Sequence, residues 1–143
     1  MKFKKFALIF CFSVMSLFFM STLHAAPIFF NGDSNYPIWS SGNKMGACYD
    51  LSSSVLKEYD AIHIVIAAIN MSCTYQYRNE QGQLCGPLGP ADTYVLFGED
   101  IYGRLYYCTV YDINEYRKWH MVTDSIAKEA YLLAKRKVLC IEQ

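Results

Sequence analysis

The sequence predicts an exported, disulfide-stabilised α+β domain in which an antiparallel sheet packs on a helix and a second helix closes the chain. Three observations carry this. The chain opens with a secretion-type leader, it keeps five cysteines beyond that leader, and it alternates β-rich hairpin segments with two segments of helical spacing.

The leader begins Met1-Lys2-Phe3-Lys4-Lys5, continues as an apolar run from Phe6 to Met20, and ends in small and polar residues through Ala25-Ala26. This charged, apolar, small-residue order marks residues 1–26 as a signal peptide, with cleavage after Ala25 or Ala26. The apolar core is shorter than the ~20 residues that a membrane span requires, so the expectation is a secreted protein with no stable membrane insertion once the leader is gone. Residues 27–143 then form one domain.

Within it, Ile28-Phe29-Phe30 and Tyr36-Pro37-Ile38-Trp39 read as short extended pieces, each stopped by a polar or glycine-rich turn. Pro37 keeps the second out of a sheet centre. Ser52, Ser53 or Ser54 can cap a helix, and Leu51, Val55, Tyr59, Ile62, Ile66 and Ile69 recur at helical spacing, so a helix is expected over residues 52–67. The β-branched run Ile62–Ile66 leaves a strand as the alternative. Thr74–Tyr77 alternates as a strand does, and Gly86-Pro87-Leu88-Gly89-Pro90 reads as a loop. Tyr94–Phe97 and Leu105–Tyr111 are strands joined by the turn Gly98–Gly103. Asp124-Ser125 opens a helix lined by Ile126, Ala130, Leu133 and Ala134, and Val138–Ile141 is a final short strand or tether.

Of six cysteines, Cys11 leaves with the leader and Cys48, Cys73, Cys85, Cys108 and Cys140 remain. There is no C-x-x-C pair and no histidine at ligand spacing, so disulfides rather than zinc are expected. Cys48–Cys140 would close the domain end to end, and Cys73–Cys85 would clip the polar loop between them, leaving Cys108 outside both bridges. Cys108–Cys140 is the rival pairing.

Charge is balanced, 13 basic against 13 acidic residues, and the leader removes three of the lysines. The domain therefore lacks the basic excess that sequence-independent nucleic-acid binding needs. No nucleophile elbow or phosphate-cradling glycine loop is present, and no metal or other cofactor is expected. Metal-free RNA cleavage needs a base and an acid poised near neutrality. His63 with Glu58, and His120, are the residues available for it. His63 lies in an apolar run that suits a structural role, and His120 beside Lys118 and Trp119 suits a surface. Glu99-Asp100 reads as a solvated turn. Asn70-Met71-Ser72 is a glycosylation sequon, making Asn70 the candidate acceptor.

The segment Gly89-Pro90-Ala91-Asp92-Thr93-Tyr94-Val95-Leu96-Phe97, followed by Gly103-Arg104-Leu105 to Tyr111, resembles the core hairpin of the secreted fungal guanyl-preferring ribonucleases over roughly 25 residues. On that resemblance Asp92 falls on the family's aspartate. Thr93 replaces its catalytic arginine, and Tyr111 replaces its histidine. A domain of this outline without those catalytic groups is similar to the RNase-like effectors of powdery mildew fungi. These are small secreted proteins that act inside plant cells, some of them recognised by immune receptors. The tyrosine-x-cysteine found near their mature terminus is missing there, and the helix around 126–136 is additional. The resemblance implies an RNase-like sheet and no catalytic residues. It implies a host protein or RNA as partner, with an immune receptor as a further one. Tyr106, Tyr111, Trp119 and His120 are the expected binding surface. A divergent ribonuclease and a secreted or periplasmic binding or structural module of another family are the alternatives.

Overall fold

A computed structural model describes residues 26–59, 64–113 and 118–140. Residues 1–25 of the expected leader lie outside them, as do His63 and Ile141. Among the described residues, nine strands and one α-helix follow in chain order: β1 (Ile38–Ser41), β2 (Met45–Tyr49), β3 (Val55–Tyr59), β4 (Ile64–Thr74), β5 (Tyr77–Arg78), β6 (Leu84–Cys85), β7 (Thr93–Glu99), β8 (Leu105–Val110), β9 (His120–Met121) and α1 (Ser125–Leu139).

Seven strands form one fully antiparallel sheet in the order β1-β2-β4-β7-β8-β9, with β3 also on β4. β4 is its spine. On one edge β4 pairs first with β3 (Tyr59↔Ile64) and then with β2 (Met45↔Thr74). On the other it pairs with β7 (Ile66↔Phe97). β5 and β6 make a separate small hairpin.

The helix expected over residues 52–67 is replaced by β3 and β4. The reason lies in burial on both faces. Ile66 and Ala68 face the same cluster as α1, while Val65, Ala67, Met71 and Cys73 face clusters on the other side. Such a strand is a near-continuous apolar run, and periodicity alone does not separate it from a buried helix. The serines open no helix either. Asp50 caps a single 3-10 turn, Leu51–Ser53, that carries the chain from β2 to β3. α1 begins as expected, with the Asp124 carboxylate accepting from the Ile126 amide at 2.8 Å. It then runs through Val138 and Leu139, which are not a strand, and ends at Cys140 in the left-handed conformation.

α1 covers one sheet face. Ala127, Ala130, Tyr131 and Ala134 pack there on Trp39, Tyr49, Ile66, Val95 and Phe97. The opposite face holds Val65, Ala67, Leu96, Cys108 and Val110, joined by Trp119 and Ile113. Beside them Phe30, Ile38, Cys48, Met71 and Cys73 form a further cluster. The loop Gly86–Pro90 lies along β4, fixed by Asn31, which donates to the Gly86 carbonyl (3.1 Å) and accepts from its amide (2.9 Å).

Candidate functional site

The expected binding residues separate into three places. Tyr106 on β8 and the half-buried Trp119 meet at a small cavity of about 200 Å³ beside Gly98. Gly98 permits this, because a Cβ there would sit 3.2 Å from the indole ring. His120 is opposite Tyr107 on the neighbouring strand, with ring centroids 5.5 Å apart. Tyr107 in turn packs at a tilt against Trp39, so His120 belongs to the side that carries α1. Tyr111 follows β8, is 71% exposed, and lines neither this cavity nor the larger one below.

Thr93, at the position of the ribonuclease arginine, accepts a hydrogen bond from Asn70 Nδ2 at 3.0 Å. Asn70 Oδ1 accepts from Trp39 Nε1 at 2.9 Å. The sequon nitrogen is thus engaged inside the sheet, and a glycan on it would displace Thr93.

The cysteines lie apart from the expected pairs. Cys48 and Cys73 are fully buried in one cluster, with Ile126 at the start of α1 packed against it. Cys85 is buried on β6, its thiol donating to the Gln83 carbonyl. Cys140 is exposed at the end of α1, while Cys48 is buried on β2.

A concavity of about 540 Å³ opens between the β7–β8 turn, β9 and α1. The turn is tight because Asp100 accepts from the amides of Tyr102 and Arg104, both at 2.9 Å, and Gly103 adopts φ +74°. Asp100 also holds the Arg104 guanidinium at 2.6 Å, and the Tyr102 ring lies 5.1 Å from that guanidinium. Glu99 leaves β7 on the helix side. It accepts from Tyr131 Oη and from Lys135 Nζ, the latter at 2.7 Å. Glu99 is therefore a tie between β7 and α1 and not a solvated turn residue; only Asp100 plays that part. Burial pushes the Tyr131 phenol far up, and the Glu99 carboxylate beside it adds to the shift. Tyr131 is consequently a fixed hydrogen-bond donor at neutral pH. Lys128, Leu132 and Val122 complete the walls.

Arg104, Lys128 and Lys135 thus line the hollow with Glu99, Arg104 being held by Asp100 and Lys135 by Glu99. Exposed Met121 forms part of the wall, and Ile101 and Tyr102 stand exposed on the turn that supplies Gly103 and Arg104. This arrangement can hold an acidic group flanked by apolar ones. Sequence reasoning missed it because its parts come from three separated segments. One signal was present: Lys128, Tyr131, Leu132 and Lys135 fall at i, i+3, i+4 and i+7, a single helix face. Among the described residues no group of histidine, cysteine and carboxylate side chains is placed to hold a metal ion, and no helix is long and apolar enough to cross a membrane.

No protein-family model, curated protein or solved structure matches this chain.

Proposed function

We propose that the chain is a secreted, noncatalytic, effector-like binding protein that engages a host protein at the hollow between the β7–β8 turn, β9 and α1. The observation that carries this reading is the exposure of Ile101, Tyr102 and Met121 (57%, 76% and 55%) around a hollow lined by Lys128 and by the ion pairs Arg104–Asp100 and Lys135–Glu99. Apolar groups clustered at the surface mark interaction sites, and charges beside them select orientation and partner. A protein surface carrying acidic side chains among apolar ones suits it best. RNA is the weaker candidate, because the chain as a whole has no basic excess.

The absence of catalysis is supported by the ribonuclease-like hairpin itself. β7 and β8 pair in regular register, Leu96 opposite Cys108. Thr93 is tied to Asn70 at its start and Tyr111 is exposed beyond its end. Neither supplies the positive charge nor the near-neutral acid–base group that RNA cleavage requires. The RNase-like ancestry, action inside plant cells and recognition by an immune receptor belong to this same proposal, and the β7–β8 hairpin is their support.

The test captures binding partners from a plant-cell extract on the immobilised exported protein, alongside Met121→Glu and Lys128→Glu, two exposed positions. The expected result is nuclease-resistant, protease-sensitive retention that falls about tenfold or more in each variant, as loss of an interface contact worth ~1.4 kcal/mol would give. Equal retention by the wild type and both variants overturns the site. Retention lost to nuclease moves the partner to RNA, and RNA cleavage lost in His120→Ala replaces the reading with the divergent ribonuclease.

A further inference from the structure

In β2 and β4 the residue pairs run Gly46↔Cys73 and Cys48↔Met71, so Cys48 and Cys73 sit diagonally on adjacent strands. Both side chains enter the cluster of Phe30, Ile38 and Met71, against which Ile126 at the start of α1 also packs, and both are 0% exposed. Gly46, directly opposite Cys73, carries no side chain, which leaves Cys48 as the neighbouring β2 side chain in that cluster. Both cysteines are thiols in this structure, and the neighbouring Cys73 is the first cause that pushes the Cys48 thiol up. The other cysteines are elsewhere: Cys85 on the small β5–β6 hairpin, Cys108 on β8 beyond β7, and Cys140 at the exposed end of α1.

We propose that Cys48 and Cys73 form a cross-strand disulfide that staples β2 to β4. Diagonal neighbours stand about 7–8 Å apart at Cα, and an ordinary disulfide spans about 4.4–6.8 Å, so closure draws the strands together by roughly 1 Å. The oxidant is a small-molecule disulfide such as oxidised glutathione. A cysteine thiolate attacks one of its sulfurs, breaking that S–S bond and releasing one small thiol. The second cysteine then attacks the mixed disulfide, forming the protein S–S bond and releasing the other small thiol. The two protons of the cysteines end on the two released thiols, and two electrons pass from the protein to the reagent. Because both thiols are sealed in the folded core, exchange belongs to the folding chain, before the cluster closes over them. The bridge closes a loop between β2 and β4 that includes β3.

The proposal is independent of the binding reading and is tested without any partner. The exported protein is reduced, unfolded and refolded with or without oxidised glutathione, alkylated, and mapped by nonreducing peptide mass spectrometry. The expected product is two hydrogens lighter and yields the Cys48 and Cys73 peptides joined. Its thermal midpoint lies about 6–15 °C above that of the reduced form, as a loop of this size implies. The Cys85→Ala/Cys108→Ala/Cys140→Ala variant forms the same linkage, which keeps the test independent of any variant lacking the bridge. Cys48 joined to Cys140, Cys73 joined to Cys85, or alkylation of both Cys48 and Cys73 in the oxidised, refolded protein overturns the proposal.

Discussion

Asp50 closes the turn between β2 and β3 with one carboxylate oxygen. That oxygen accepts from Asn35 Nδ2 at 2.8 Å, from the Ser52 amide at 2.9 Å and from the Ser52 hydroxyl at 2.5 Å. Partial burial alone would raise its pKa. The bonds from Ser52 and Asn35, with the Ser52 and Ser53 amides, outweigh that and hold it below the usual carboxylate range. A carboxyl depressed in the folded state stabilises fully above its unfolded pKa, about 4, and loses that contribution as pH falls through its folded value. Asp50→Ala is therefore expected to cost about 1 kcal/mol at pH 7. The gap from wild type narrows as the pH drops below about 4, and thermal melts between pH 7 and 3 read this directly. A gap that stays constant with pH refutes the role. The serine cluster in the sequence pointed to capping at this place. It pointed to the wrong residue and a longer element, because the run 54–69 that follows mimics a helix face.

At the level of elements, the parts that local chemistry defines were legible. The proline- and glycine-rich loop 86–90, the β7–β8 hairpin and the Asp124-capped start of α1 all announce themselves by turn, strand or cap residues. β4 does not, since a strand buried on both faces shows no two-residue period. β9 does not either, because two residues carry no pattern and their place is fixed by Tyr106 and Tyr107 across the ladder. The loop has a stricter requirement than its composition suggests. A Cβ on Gly86 would stand 1.9 Å from the Thr74 carbonyl oxygen, a backbone atom at the end of β4. Gly86→Ala must push the loop off the strand and disturb both bonds to Asn31. The expected cost is about 1–3 kcal/mol, seen as a lower urea midpoint with an unchanged slope. A midpoint equal to wild type would show that the loop does not bear on stability.

For the whole molecule, the sheet is a wall with a core on each side, and Phe97 is the centre of the helix side. Its ring lies within 5.8–6.0 Å of those of Trp39, Tyr49 and Tyr131, which come from β1, β2 and α1. Phe97→Ala is expected to cost about 3–5 kcal/mol, and denaturant unfolding followed by both fluorescence and circular dichroism measures it. A loss below 1 kcal/mol would mean that α1 is not held through this contact. The same long-range assembly explains why the candidate site was not legible in the sequence. Its cations stand at 104, 128 and 135, and its carboxylate at 99 had the look of a turn residue. The balance of 13 against 13 conceals the local excess.

The two tryptophans sit at different depths on opposite faces of that wall. Trp39 is 6% exposed, bonded to Asn70 and surrounded by aromatic rings on the helix side. Trp119 lies over Gly98 on the other side, half-buried, with Glu99 common to its small cavity and to the large hollow. The native emission spectrum is thus a sum of a sheltered indole and a partly wetted one. An aqueous quencher such as iodide separates them, dimming Trp119 and sparing Trp39. Unlabelled protein then reports two events in one cuvette: occupancy near Glu99 perturbs the quenchable component, while opening of the helix-side core perturbs the protected one.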